Sequence, residues 1–158
     1  MATITTDQVW EEIGKNIFAV LGMVTAQQEA RTVGIVYATH ERMLYISSGK
    51  DAWKMKHVAA NPHISMTVTI PKSIPLLPWI KIPAATITFQ GIAQVLDIDE
   101  VSDEVLNVTF RGMEMSEELR SKTAVIAVQP KGQFITYGVG VSLQQMRDSE
   151  FARGRVAV

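Results

Sequence analysis

Two lysines, Lys50 and Lys54, follow a pair of serines, Ser47 and Ser48, in the segment LYISSGKDAWKMKHVAANP from Leu44 to Pro62. Ser48 stands three residues before Asp51, the spacing of a capping box, which predicts a helix starting near Gly49 with free backbone N–H groups facing back toward the preceding strand. In that helix Lys50 and Lys54 stack one turn apart at an already electropositive end, each opposed by the dipole by roughly 0.3–1 kcal/mol. Asp51 alone offsets them locally. A phosphate held by the N–H groups, the two serine hydroxyls and the lysines would convert this cost into binding. The same residues also read as a solvated lysine face over a buried stripe of Ala52, Met55, Val58 and Ala59.

Other chemistries find less support. The chain of 158 residues has no cysteine, which excludes disulfides, thiolate metal sites and a cysteine nucleophile, and fits a reducing, cytoplasmic setting. His40, His57 and His63 lack metal-ligand spacing, so no metal is expected. Glu114, Glu117 and Glu118 gather at a helix start, where the dipole accounts for them. No Gly-x-Ser-x-Gly, phosphate-loop or dinucleotide fingerprint occurs. A net charge of −1 without a basic run argues against nucleic acid, and MATITTDQVWEEIG has the features of neither a signal peptide nor a membrane span. Hydrophobic residues make up 47% of the chain, enough to suggest that a second subunit or a ligand covers apolar surface.

The elements that must position the serines and lysines read as one mainly β domain over residues 1–158. Thr5 or Thr6 caps a helix from Asp7 to Lys15, with Val9, Trp10 and Ile13 inward. Strands are expected over Ile17–Thr25, Arg31–Thr39 and Met43–Ser47, then over His63–Ile70, where Ile64, Met66, Val68 and Ile70 alternate with polar residues after an Asn61-Pro62 stop. Four prolines between Pro71 and Pro83 make an apolar loop whose Leu76, Leu77, Trp79 and Ile80 would cover a pocket mouth or a subunit interface. Ala85–Asp97 is a strand with Gly91 at a bulge or a close approach. Asp97–Phe110 and Ser116–Ser121 read as helices, Ala124–Pro130 and Gln133–Val139 as a hairpin, and 142–158 as a polar tail whose Arg147, Arg153 and Arg155 are either solvated, the simpler reading, or a clamp on an anionic group. Hairpins without a βαβ rhythm give an antiparallel barrel with added helices.

In order and spacing, AVLGMVT, Arg31-Thr32-Val33, LYISSG, Trp53-Lys54 and Asn61-Pro62 resemble the FMN-binding split β-barrel of the pyridoxamine 5′-phosphate oxidase-like superfamily. TITFQGIAQVL and PKGQFITYG resemble that family's later strands, so the likeness spans most of the chain. The resemblance implies that Arg31, Ser47 and Lys54 contact an FMN phosphate, with Ser48 and Lys50 beside them. It places Thr32 and Val33 along the flavin edge, Ile46 near the ribityl chain and Thr86 near the ring. Trp53 stands where the oxidases carry Arg, and Lys50 is expected to replace that contact. The C-terminus lacks the Trp-Gly-Gly signature and the Arg-x-His pair that hold pyridoxal phosphate, so pyridoxamine phosphate oxidase activity itself is not expected. The implied protein is a cytoplasmic homodimer with FMN in the subunit cleft, a flavin-dependent oxidoreductase for a small substrate. A non-catalytic flavin carrier or stress-response protein is the alternative, as is the same barrel holding a deazaflavin or heme.

Overall fold

Period-two alternation organises eight segments of the chain into sheet. The computed structural model describes residues 4–158. In chain order the elements are α1 (Thr6–Lys15), β1 (Phe18–Val24), β2 (Ala30–Val36), β3 (Ala38–His40), β4 (Met43–Gly49), α2 (Trp53–Ala60) and β5 (His63–Ile70), then β6 (Ala85–Asp97), α3 (Asp103–Phe110), α4 (Glu117–Lys122), β7 (Thr123–Tyr137), α5 (Ser149–Ala152) and β8 (Arg153–Ala157). All described strand pairs are antiparallel. They form an 8-stranded sheet in the order β2-β1-β5-β6-β7-β4-β3, with β8 on β7. The two ends of this order, β2 and β3, are consecutive in the chain and joined by Tyr37, so the curled sheet closes through a peptide link instead of a ladder.

The core lies inside the curl. Leu21, Met66, Val68, Ile87, Phe89, Ile126 and Phe134 are buried there, and Trp10 of α1 meets Phe134 edge-on at 5.6 Å. Thr5 caps α1 in a reciprocal box with Gln8. Tyr37 donates its hydroxyl to the Ile13 carbonyl at 2.7 Å, tying α1 to the closing link. A smaller core of Ile98, Val101, Val105 and Val125, flanked by Tyr45 and Phe110, seats α3 against the outer face of β4 and β7. No described helix is long and apolar enough to cross a membrane.

The expected start of α2 is corrected. The ladder runs on through Ser48–Ala124 and Gly49–Thr123, and a turn closed by Ala52 N–H to Gly49 O at 3.0 Å separates it from a helix that begins at Trp53. Ser48 therefore belongs to the strand and caps nothing, and Lys50 precedes the helix. The expected single helix over 97–110 breaks at Val101: a short 3₁₀ turn over Ile98–Glu100 comes first, and Ser102 then caps α3. Pro130-Lys131-Gly132 makes no hairpin. β7 continues through it with a register shift, because Thr88 pairs with Ile135 while Gln90 pairs with Lys131, and Gly132 takes a positive φ of 76° to absorb the extra residues. Nor is 142–158 merely a tail, since β8 pairs with Gln133–Tyr137. Gly91 marks a close approach: a Cβ there would lie 3.0 Å from Gln129 O.

Candidate functional site

Between the edge of β2, the outer face of β4, the first turn of α2 and the C-terminal end of α3 lies a cavity of about 280 Å³. It forms because β2 and β4 are not hydrogen-bonded to each other where the curl closes. Leu44 and Ile46 point into the core, so Tyr45 and Ser47 point outward into this gap. Lys54 reaches it from α2, whose first turn has no side-chain cap and so leaves backbone N–H groups available. Thr109 and Arg111 reach it from α3, and Gly34, Tyr37 and Ala38 close the β2–β3 side. Burial, and after it the charge of Glu41, pushes the Tyr45 phenol up, and burial pushes the Tyr37 phenol up, whose hydroxyl is already given to the Ile13 carbonyl. An electropositive helix end, two cationic side chains and the hydroxyls of Ser47 and Tyr45 give this cavity the chemistry to hold an anion.

Further along β2 lies a second cavity of about 430 Å³, lined by Arg31 and Thr32, by Gly22 on β1, by His63 and Ser65 on β5, by Gln90 on β6 and by Lys131 on β7. Thr32, Gly22, Ser65, Gln90 and Lys131 stand in register across five strands, so they share one outer face. Gly22 forms its floor, since a Cβ there would sit 2.5 Å from Ser65 Oγ.

Of the residues expected from the sequence, Ile46, Ser47 and Lys54 come together at the first cavity and Arg31 and Thr32 at the second. Arg31 pairs with Glu29 at 3.1 Å and does not reach Lys54's pocket. Val33 packs against the core. Ser48 is engaged in the β4–β7 ladder, and Thr86 lies between Thr69 and Tyr137 on β6, lining neither cavity. Lys50 is held by Asp97 at 2.7 Å, away from Lys54, so it does not supply the contact expected of it. Trp53 is half-exposed and rests its ring on His57 at 5.6 Å. Sequence reading missed Arg111, Thr109, Tyr37 and Tyr45. Thr109, Arg111 and Tyr45 come to the cavity through α3 packing over β4, and Tyr37 through the link that closes the sheet, neither of which a local pattern announces.

No protein-family model matches the chain, and no curated protein does. Solved structures do. A protein from Bacteroides thetaiotaomicron, named for 5-nitroimidazole antibiotic resistance, superposes with a TM-score of 0.67 at 13% identity over 82% of each chain. One from Listeria innocua, named as a pyridoxamine 5′-phosphate oxidase, gives 0.60 at 16% identity over 78% of this chain and 91% of its own. The fold is the split β-barrel of the pyridoxamine 5′-phosphate oxidase-like proteins. The heme storage protein HutZ of Vibrio cholerae shares this split barrel, with a TM-score of 0.62 at 15% identity over 85% of this chain and 96% of its own. At such identities the likeness is one of fold, and the chemistry rests on the site. Successive stretches of β2 line the two cavities, Ala30–Thr32 the larger and Gly34–Val36 the smaller.

Proposed function

We propose that this split barrel binds FMN non-covalently, with the phosphate between β4, α2 and α3 and the flavin ring along β2. The observation that carries this is the pairing of an anion pocket around Lys54 and Ser47 with the open edge of β2, the terminal strand of the sheet order. An edge strand presents unpaired N–H and C=O groups in alternation, which suits the alternating donors and acceptors of a flavin pyrimidine ring. Thr32 and Val33 lie on that edge, and the Gly22 floor leaves room for a flat group beside it. Arg31 in this reading faces the ring end of the ligand instead of its phosphate.

Bound FMN would supply the redox chemistry; the chain's own residues bind it, orient it and leave one face open to a small substrate. The protein is then a flavin-dependent oxidoreductase. Ile17, Phe18 and Val36 lie exposed side by side where β1 pairs with β2, an apolar patch beside the proposed phosphate cavity, which Val36 lines, that fits a homodimer with the flavin in the cleft.

Heme is the competing ligand, favoured by His63 on the wall of the larger cavity. The absorption spectrum of purified protein separates flavin, deazaflavin and heme. FMN binding far tighter than riboflavin is expected, and equal affinity for the two removes the phosphate-site assignment. Reduction of the bound flavin by a nicotinamide or another small donor, far faster than that of free FMN, supports an enzyme; reduction at the free-flavin rate across a donor panel supports a carrier.

A further inference from the structure

We infer that the C-terminal end of α3 completes the phosphate site: the Arg111 guanidinium and the Thr109 hydroxyl close on the phosphate from the side opposite Lys54. This deepens the FMN reading and rests on it.

Thr109 lines the cavity, and its Oγ1 is buried behind that wall with no hydrogen-bond partner among the described residues. A helical threonine ordinarily satisfies its hydroxyl on the carbonyl one turn back, and a buried hydroxyl left without a partner is destabilising. A turn of the Thr109 side chain toward the cavity that its residue lines would give this hydroxyl a ligand oxygen as partner. Arg111 is the C-cap of α3 in the left-handed region, at φ 54° and ψ 42°. That conformation is costly for a residue with a Cβ, and glycine is its usual occupant. Glycine is in fact next in the chain, at 112, yet Arg111 occupies the cap and its residue lines the cavity. Attraction to the helix C-terminus would favour any cation there, but it needs neither the cavity nor the orphaned hydroxyl beside it. Neither Lys54 nor Arg111 forms an ion pair among the described residues, whereas Arg31, Lys50 and Arg120 all do. Two unpaired cations and an unsatisfied hydroxyl around one cavity match the three acceptor oxygens of a phosphate monoester.

Ligand-free stability and FMN affinity should therefore move independently. Arg111→Gly relieves the backbone, so its ligand-free Tm should hold or rise while FMN binding weakens about tenfold or more and riboflavin binding stays within about twofold. Thr109→Val removes the orphaned hydroxyl, so it too should keep its Tm and lose FMN affinity selectively. Arg111→Asn, which tolerates the same backbone, guards against a glycine-specific effect. Flavin fluorescence titration with FMN and riboflavin at fixed ionic strength reads all three. If the wild type prefers FMN and the variants keep that preference undiminished, the α3 contacts are refuted while the Lys54 site stands. If the wild type shows no preference for FMN, the phosphate reading fails and this inference falls with it.

Discussion

Replacing Lys54 by Met should weaken FMN selectively, and the size of the effect follows from its setting. Lys54 is half-buried, sits in the first turn of α2 and has no acidic partner among the described residues. Two unit charges at about 4 Å attract by roughly 4 kcal/mol at an effective dielectric near 20, of which desolvation and side-chain ordering return a large part. A charge-assisted hydrogen bond in such a place is worth about 1.5–3 kcal/mol net, or roughly 10- to 150-fold in affinity. Methionine keeps the apolar stem and so isolates the charge. Lys50→Met is the contrast, because Lys50 and Asp97 are both largely exposed and form a pair worth at most about 1 kcal/mol, remote from Lys54's pocket. Titrating FMN and riboflavin into both variants by flavin fluorescence gives four dissociation constants. Loss of FMN and riboflavin affinity by the same factor in Lys54→Met, or an equal FMN loss in Lys50→Met, refutes the reasoning.

Further expectations concern the loop, the closing tyrosine and the barrel wall. Trp79 is 72% exposed on the proline-rich loop; in a variant keeping it as sole tryptophan, FMN binding should quench its fluorescence if the loop closes over the flavin, and an unchanged signal returns the loop to ordinary surface. Burial raises the Tyr37 phenol well above the ordinary tyrosine range, so its stabilisation is complete below about pH 10 and is lost as the pH rises beyond that. Tyr37→Phe should lower the neutral-pH stability by about 1 kcal/mol through the lost bond to Ile13 and flatten the alkaline decline seen by circular dichroism. Gly91→Ala would press a methyl against Gln129 O, Val128 and Ile64, costing about 1–3 kcal/mol in urea unfolding with flavin affinity unchanged in the folded fraction. A sedimentation mass of one chain with FMN bound would contradict the shared cleft.

What the sequence disclosed followed from periodicity and punctuation. The alternation of His63–Ile70 and the Asn61-Pro62 stop gave β5 and the end of α2, and the order of short strands gave the barrel. Failures arose where local signals competed with long-range pairing. Ser48 has the spacing of a cap but is claimed by Ala124 in the ladder, which moves the helix four residues on from Gly49. Pro130-Lys131-Gly132 has turn chemistry, yet β6 pairs with the chain on both sides of it and holds it as a bulge. Arg153–Ala157 is too polar to read as strand and becomes one because β7 offers an open edge. For the site, Ser47 and Lys54 were legible from a short segment, while Thr109 and Arg111 lie more than fifty residues downstream and enter only through tertiary packing.

Closure of the barrel through Tyr37 makes the effect of a chain break depend on where it falls. The Glu41–Arg42 turn joins β3 to β4, which remain paired through Ala38–Tyr45, Thr39–Leu44 and His40–Met43, so a nick there leaves both strands held by their ladder. A nick between Val36 and Tyr37 severs the peptide that joins the two ends of the sheet order and loosens the wall of the candidate cavity that they share, where no ladder pairs them. The two-residue turn is thus a permissive place for insertion or for dividing the chain into complementing fragments, whereas at Tyr37 only its own two bonds, to Ile17 O and Ile13 O, stand in for the peptide where the turn has a ladder.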